Sequence, residues 1–271
     1  MLHKVVQLGG KSYFWLEKIN VVSMIQEYQV SGFRVREYEE LASTNTEAER
    51  VGWDELEDKM VILTYRQTQG RGQVGNHWES EPEKNISMTV VFKPWELPAG
   101  QQFAVSMVIA LGAYDFISRY VNECSVKWPN DIYVGNRKIS GILIEHTIMG
   151  CYVGGSLCGI GVNVNQERFL SDAPNPVSLF QLIGEEIPVD RALEELLDYI
   201  GRRYESIQDY EGLKRDFLRV LYRREGVYEW EDEVGMFRAS IRGMNEFGQL
   251  LLEDEEGRVR VYGFKEITYK F

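Results

Sequence analysis

One segment, residues 126–145, constrains the fold of this chain more than any other, and it reads VKWPNDIYVGNRKISGILIE. Pro129 lacks a backbone donor and pushes the residue before it toward extended geometry. An apolar strand that ends at Lys127 must therefore turn at this point. The turn aims the lysine and two small polar side chains, Asn130 and Asp131, at one place, which is typical of a functional site.

The second half of this segment predicts a β-hairpin. Gly135 and Asn136 form a two-residue turn signal between the β-rich runs IYV and RKISGILIE. Gly141 lies within the second run, where the absence of a side chain lets another group approach the strand closely. A hairpin with a surface lysine and a Pro-Asn turn remains the alternative interpretation of the segment.

A glycine-rich loop between two apolar runs lies within residues 61–92, VILTYRQTQGRGQVGNHWESEPEKNISMTVVF. Gly70, Gly72 and Gly75 match the letters of the dinucleotide fingerprint, but that motif opens a helix and a strand follows here. No Lys-Ser/Thr pair follows the glycines, which excludes a P-loop. The loop instead carries Arg71 among glycines whose backbone N–H groups can face an anion, so it is a candidate lid over a phosphate-bearing ligand. A mobile hairpin loop is the alternative.

The segment Ser43-Thr44-Asn45-Thr46-Glu47 has two interpretations. Thr44 with Glu47 three residues later fits a capping box, which needs no ligand. A helix N-terminus also gathers hydroxyl and amide groups, so Ser43, Thr44 and Asn45 are candidates for binding a polar ligand head.

The order of these motifs resembles the catalytic core of biotin protein ligases. The series is STN, QTQGRGQVGNHW, NISMTVVF, KWPNDIYVGNRKISGILIE, GIGVNVNQ and PVSLF, and the resemblance runs from about residue 36 to 271. It implies an α/β (α+β) fold with a class II aminoacyl-tRNA synthetase-like core and a small C-terminal SH3-like β-barrel. It also implies an enzyme that makes biotinoyl-5'-AMP from biotin and ATP and transfers biotin to a lysine of a biotin carboxyl carrier protein. Mg²⁺ is expected with ATP.

The resemblance assigns roles to named positions. Lys127 and Arg71 are the implied catalytic cations. The implied biotin-binding residues are Ser43, Thr44, Asn45, Gln67, Arg71, Gly72, Gln73 and Lys127. The implied ATP- or adenylate-binding residues are Gly70, Arg71, Gly75, Trp78, Asn130, Asp131 and Asn163.

These residue types suit the chemistry. A carboxylate that attacks the α-phosphate of ATP brings two anions together, so fixed cations and backbone donors are the main requirement. Lys127 supplies a point charge and Arg71 a forked donor. The mixed anhydride is prone to hydrolysis, and the 70–78 loop, with Trp78 as its apolar anchor, is the candidate lid that protects it.

The loop departs from the commonest pattern of the family that it resembles. Many relatives carry Arg-Arg-Gly-Arg after Gly-Arg-Gly, whereas this chain has Gln73-Val74-Gly75-Asn76. Three cations are missing, so fewer charge-assisted hydrogen bonds are available. We therefore expect the adenylate to be held less tightly than in the arginine-rich relatives.

Composition restricts the remaining possibilities. Three cysteines and three scattered histidines offer no zinc spacing. The absence of a long apolar run argues against a membrane span, and low cysteine use favours the cytoplasm. A net charge of −12 disfavours nonspecific nucleic-acid binding. A repressor form needs a helix-turn-helix before the core, and no such pattern precedes it, so DNA binding is not expected.

Three segments are predicted. Residues 1–32 are an N-terminal extension of uncertain role, for which an appended helix and a true start at Met24 both stay open. Residues 33–224 form the catalytic biotin- and ATP-binding domain, with one helix over 101–120 and another capped by Asp190. Residues 225–271 show short alternating runs separated by glycines, which predict the barrel.

Two other functions are alternatives to a biotin protein ligase. A lipoate or octanoate protein ligase uses the same core, but its acyl pocket lacks the polar head site that Ser43 to Asn45 and Gln67 indicate. A non-catalytic biotin-binding regulator needs a DNA-reading module that this sequence does not contain.

Overall fold

The computed structural model of the protein describes residues 4–8, 11–15, 23–72, 76–171 and 173–270. Two residues of the predicted site, Gln73 and Gly75, lie outside the described residues. The elements before the C-terminal strands are β1 (Lys4–Leu8), β2 (Lys11–Trp15), β3 (Met24–Val30), β4 (Phe33–Tyr38), α1 (Thr44–Val51), β5 (Met60–Thr64), β6 (Gly70–Arg71), β7 (His77–Trp78), β8 (Ile86–Phe92), α2 (Phe103–Ile117), β9 (Cys124–Lys127), β10 (Asp131–Val134), β11 (Arg137–Met149), β12 (Tyr152–Val162), α3 (Leu179–Ile183), α4 (Val189–Tyr204) and α5 (Tyr210–Arg219). The C-terminal strands are β13 (Tyr228–Glu231), β14 (Met236–Met244), β15 (Leu250–Asp254), β16 (Val259–Tyr262) and β17 (Thr268–Tyr269).

An eight-stranded sheet forms the centre of the larger domain, in the order β3-β4-β5-β8-β12-β11-β10-β9. β4 and β5 are parallel, and the other neighbouring strands are antiparallel. Side-chain alternation explains how β5 is buried on both faces. Met60 and Ile62 pack with Ala48 of α1, while Val61 and Leu63 join the larger core that includes α2.

The two predicted helices are present as α2 and α4, and they pack against each other. The N-cap predicted at Asp190 is wrong, because α4 begins at Val189 with Pro188 as its N-cap. The Asp190 carboxylate instead accepts a hydrogen bond from the Tyr65 hydroxyl at 2.7 Å. The Asp190 carboxylate therefore binds a tyrosine from another part of the chain and does not cap the helix backbone.

The sheet begins earlier in the chain than predicted. β3 lies inside the segment 1–32 that the sequence analysis separated from the core, and it pairs with β4 across a turn at Ser31 and Gly32. Tyr28 and Val30 of β3 pack against the main core, which explains why this strand belongs to the sheet. The appended helix considered for this segment is a wrong prediction for the described part, which consists of β1, β2 and β3.

The C-terminal strands form a five-stranded sheet in the order β16-β15-β14-β13-β17. Trp230 is fully buried in it, and its indole Nε1 donates to the carbonyl oxygen of Ala239 at 3.0 Å. This small domain contacts the turn that follows β9, because the indole Nε1 of Trp128 donates to the carbonyl oxygen of Gly248 at 2.9 Å. Within the described residues, no helix is both long and apolar enough to cross a lipid bilayer.

Candidate active site

A cavity of about 550 Å³ lies above the sheet, where α1, the β6–β7 loop, the turn after β9 and the C-terminal domain meet. It brings together most of the predicted site residues, which come from separate parts of the sequence. Those that line it are Ser43, Thr44, Asn45, Gln67, Arg71, Gly72, Trp78, Lys127, Asn130 and Asp131.

Polar groups at the start of α1 form one end of the cavity. Ser43, Thr44 and Asn45 are all buried. The backbone N–H of Thr44 donates to Gln67 Oε1 at 3.0 Å. Thr89 Oγ1 donates to Asn45 Oδ1 at 2.6 Å and lies 2.8 Å from Thr44 Oγ1. This end is therefore a fixed set of hydroxyl and amide groups suited to a small polar ligand head.

The capping box predicted for Thr44 and Glu47 is wrong. Thr44 is the first helical residue, Ser43 is the N-cap, and the Ser43 side chain makes no capping hydrogen bond. The buried Glu47 carboxylate instead pairs with Arg50 at 2.6 Å. Ser43 and Thr44 both line the cavity.

Arg71 is held by two carboxylates. One guanidinium nitrogen, Nη2, lies 2.8 Å from Glu145 Oε1 and 3.1 Å from Glu49 Oε1. The other carboxylate oxygen of Glu145 accepts from Asn45 Nδ2 at 2.8 Å. Glu145 therefore joins the loop cation to the polar end of the cavity through one acceptor group.

Lys127 lies at the end of β9 and also lines the cavity. Its Nζ is 3.2 Å from the Tyr133 hydroxyl and 4.8 Å from the ring centroids of both Tyr133 and Tyr269. Burial lowers the pKa of the Lys127 ammonium below its usual value; Asp131 opposes this change, and the nearby positive charges of Lys138 and Arg223 add to it.

The Trp-Pro-Asn-Asp turn fixes the side chains beside Lys127. The Trp128–Pro129 peptide bond is cis, and Asn130 Nδ2 donates to the carbonyl oxygen of Ile142 on β11. Asp131 pairs with Lys138 at 2.8 Å. The predicted hairpin is confirmed, because Val134 and Arg137 pair across Gly135 and Asn136.

The indole of Trp78 covers two glycines of the sheet. A Cβ built on Gly141 of β11 would lie 2.9 Å from this ring, and one built on Gly161 of β12 would lie 2.3 Å from it. The close approach predicted at Gly141 is thus confirmed, and its partner is Trp78. Gly159 likewise leaves space for Asn45, because a Cβ at this position would lie 2.4 Å from Asn45 Oδ1.

Two described residues of the predicted site do not line the cavity. Gly70 is buried under the Trp78 backbone, where a Cβ would come within 2.3 Å of the Trp78 carbonyl oxygen. Asn163 is buried, and its Nδ2 donates to the carbonyl oxygen of Val177 at 3.0 Å.

Several lining residues were missed by sequence reasoning. Lys138 faces Trp78, with its Nζ 5.9 Å from the ring centroid, and Lys265 and Tyr269 arrive from the C-terminal domain. Glu145, which joins Arg71 to Asn45, was also missed. Side chains two positions apart on a strand point to the same face of a sheet, so the spacing from Gly141 on β11 predicts that Glu145 lies on the same face. The C-terminal residues carry no such signal, because their place depends on how the small domain docks.

Comparisons with known proteins identify a family model and relatives that are similar to this chain. The biotin/lipoate A/B protein ligase family model matches residues 38–163. A biotin--[acetyl-CoA-carboxylase] ligase of Paracoccus denitrificans is 35% identical over 177 residues, which cover 62% of this chain and 72% of that protein. The bifunctional ligase/repressor BirA of Bacillus subtilis is 25% identical over 245 residues, which cover 86% of this chain and 74% of that protein.

The fold is also known from a solved structure. The biotin protein ligase from Aquifex aeolicus, solved in complex with biotin and ATP, superposes with a TM-score of 0.71 at 22% identity, over 87% of this chain and 98% of that one. This likeness confirms the predicted α/β fold with its class II aminoacyl-tRNA synthetase-like core and small C-terminal barrel. With the Paracoccus relative and the family model, it follows that the chain belongs to the biotin protein ligases of the biotin/lipoate A/B protein ligase family.

Proposed function

We propose that this protein is an ATP-dependent biotin protein ligase, which forms biotinoyl-5'-AMP and transfers biotin to a lysine of a biotin carboxyl carrier protein. One observation carries the proposal. A cavity with a buried polar end at Ser43 to Asn45 also holds two cations from different elements, Arg71 and Lys127. This pairing suits an acid with a polar head whose carboxylate is brought to a nucleotide phosphate.

In the first step, a biotin carboxylate oxygen attacks the α-phosphorus of ATP, and the bond to the β-phosphate oxygen breaks, so pyrophosphate leaves. Negative charge spreads over the phosphoryl oxygens in the transition state. Lys127 is the residue we assign to this charge, because its half-buried ammonium lies where water screens it weakly. Asn130 and Asp131, beside it in the turn, are assigned to the nucleotide end.

In the second step, the carrier lysine amine attacks the carbonyl carbon of the mixed anhydride. An amide bond forms, the bond to the phosphate oxygen breaks, AMP leaves and the amine loses a proton. The chain needs no nucleophile of its own for either step. Its contribution is to position the reactants and to exclude water, for which the Trp78 indole over Gly141 and Gly161 is the assigned apolar wall.

The remaining assignments follow from this chemistry. The described residues contain no group of three or more His, Cys, Asp or Glu side chains able to hold a metal ion. Mg²⁺ that arrives with ATP would thus be held mainly by phosphate oxygens and water, with Asp131 as the neighbouring carboxylate. The proposed partner is the biotin-accepting domain of a carboxylase, the proposed location is the cytoplasm, and the net charge of −12 gives no support for DNA binding.

A lipoate or octanoate protein ligase is the competing function, since the matching family model includes both kinds of enzyme. The polar end of the cavity favours biotin, because a purely aliphatic acyl chain would leave the buried amides and hydroxyls of Thr44, Asn45 and Gln67 facing apolar atoms.

The test is acid-dependent exchange of labelled pyrophosphate into ATP, run in parallel with biotin, lipoate and octanoate. Adenylation is reversible and needs no carrier, so the assay isolates the first step. Exchange with biotin alone supports the proposal. Exchange with lipoate or octanoate instead would transfer the assignment to the sister activity, and no exchange with any acid would overturn it.

A further inference from the structure

The ammonium of Lys127 lies between two tyrosine rings that belong to different domains. Its Nζ is 4.8 Å from the centroid of Tyr133, on β10 of the catalytic sheet. It is equally 4.8 Å from the centroid of Tyr269, on β17 of the C-terminal sheet. The Tyr269 distance falls within the range in which the negative face of an aromatic ring attracts a cation. On the Tyr133 side the ammonium lies 3.2 Å from the hydroxyl oxygen, to which it donates.

Tyr269 is fixed firmly enough to act as a support. The residue is 7% exposed. Its ring lies 4.5 Å from that of the fully buried Trp230, and β17 pairs with β13 at these two residues. The ring of Tyr222 lies 5.9 Å away on another side. A ring held by these two aromatic neighbours and by strand pairing keeps its face toward Lys127 without needing a ligand.

The Tyr269 hydroxyl adds a second observation. It is buried, and among the described residues it has no hydrogen-bond partner, although tyrosine hydroxyls in protein interiors usually find one. Tyr269 also lines the cavity. The ring face rather than the hydroxyl is therefore the part of this side chain that the surrounding protein uses.

We propose that Tyr269 is a positioning residue for Lys127, and that the C-terminal domain takes part in adenylation through it. This inference rests on the proposed function, because it concerns the lysine assigned to the phosphate charge. The two rings limit the lysine to one approach toward the cavity, as a long flexible side chain at the end of a strand would otherwise sample many rotamers. The docking of the small domain thus completes the catalytic end of the cavity.

Two substitutions of Tyr269 distinguish the role of its ring from that of its hydroxyl. Tyr269→Phe keeps the ring and removes the hydroxyl, whereas Tyr269→Leu removes the ring. In biotin-dependent pyrophosphate exchange, Tyr269→Leu should lower kcat by about tenfold or more while KM for biotin changes by less than about twofold. Tyr269→Phe should retain most of the wild-type kcat.

Tyr262→Leu is the matched control, since Tyr262 is also a buried tyrosine of the C-terminal sheet and does not line the cavity. Thermal unfolding of every variant reports on the fold. An equal fall in kcat for Tyr262→Leu and Tyr269→Leu would overturn the inference, because it would show general damage to the domain. Equal loss in Tyr269→Phe and Tyr269→Leu would also overturn it, and so would wild-type kcat in a folded Tyr269→Leu.

A second measurement does not depend on activity. Reductive methylation of Lys127, followed by mass spectrometry with Lys138 as the internal reference, reports how open the amine is. It should be about threefold or more faster in Tyr269→Leu than in wild type, and unchanged in Tyr269→Phe. If wild type shows no exchange with any acid, the proposed function fails, and the methylation rates alone decide whether Tyr269 holds the lysine. Equal methylation rates of Lys127 in wild type and in Tyr269→Leu would contradict the inference even if pyrophosphate exchange were normal.

Discussion

Arg71 and Asn45 meet at one carboxylate, that of Glu145. The guanidinium nitrogen Nη2 of Arg71 lies 2.8 Å from one oxygen, and the Asn45 amide donates to the other at 2.8 Å. The loop that carries Arg71 is thus tied to the polar end of the cavity through a residue on β11. A change at Glu145 acts on both groups at once.

Glu145→Ala should raise KM for biotin by about tenfold, because charge-assisted hydrogen bonds of this kind contribute about 1.5–3 kcal/mol. Glu145→Gln keeps one acceptor oxygen, so its KM for biotin should lie between that of Glu145→Ala and that of wild type. Glu49→Gln is the control, since Glu49 contacts Arg71 and not Asn45. Steady-state exchange kinetics measure each effect, and an unchanged KM in Glu145→Ala would contradict the assigned link.

Gly161→Ala should disturb the cavity by displacing Trp78. A Cβ at this position would lie 2.3 Å from the indole, and overpacking of this kind typically costs about 1–3 kcal/mol. We expect lower stability in urea unfolding and weaker biotin binding in calorimetry. Gly155→Ala, on the same strand, would crowd Trp53 at 2.4 Å and does not line the cavity. Gly155→Ala should lower stability without changing biotin binding. Weaker biotin binding in this control would contradict the idea that displacement of Trp78 causes the effect of Gly161→Ala.

Lys127→Ala should abolish biotin-dependent exchange, by about a hundredfold or more, while the protein stays folded. Lys127→Arg keeps the charge but spreads it over a planar fork, so partial activity is expected. Near-normal exchange in Lys127→Ala would remove this residue from the mechanism. Circular dichroism of each variant provides the check on folding.

The pH dependence of exchange follows from the same lysine. Its pKa is lowered chiefly by burial, and the reaction is assigned to the ammonium form. Activity should therefore fall as pH rises through this lowered pKa, at a lower pH than the ordinary lysine value of 10.5 implies. A rate that stays constant through that value would contradict the assignment.

The glycine-rich loop predicts fast release of the adenylate. Residues 73, 74 and 76 are Gln, Val and Asn, where the family pattern described in the sequence analysis leads us to expect arginine. Gln73→Arg combined with Asn76→Arg should slow release by about tenfold, since each added guanidinium offers charge-assisted hydrogen bonds. Gln73→Asn with Asn76→Gln is the neutral control. Wild-type release as slow as that of the arginine-rich relatives would show the prediction to be wrong.

His146 should make stability depend on pH. Burial lowers the pKa of its imidazole from 6.5 to about 4, and its Nδ1 lies 2.8 Å from Ser156 Oγ. Between these values the unfolded chain binds a proton that the folded chain excludes, so the free energy of unfolding falls as pH drops through this window. His146→Gln should flatten that slope in urea unfolding, whereas His77→Gln, an exposed position, serves as the comparison. Equal slopes in wild type and His146→Gln would refute the argument.

Local features of the fold were predictable because backbone geometry determines them over a few residues. The turn at Gly135 and Asn136 and the chain reversal at Pro129 follow from φ preferences and a missing donor. The capping assignments at Thr44 and Asp190 failed for a related reason. The Glu47 carboxylate pairs with Arg50 on the same helix, and the Asp190 carboxylate accepts from Tyr65, which lies far away in the chain. Capping spacing alone does not decide between the backbone and these side-chain partners.

Short motifs in the sequence identified the residues that carry the chemistry. Lys127 precedes the turn that Pro129 imposes, and Arg71 lies among glycines, so neighbouring residues set the local chain direction at both positions. Tertiary structure alone decided that Glu145 joins Arg71 to Asn45 and that Tyr269 covers Lys127. Each of these contacts joins residues at least 74 positions apart in the chain, and the contacts depend on strand register and domain docking. Both are set by the packing of the whole core rather than by any local preference.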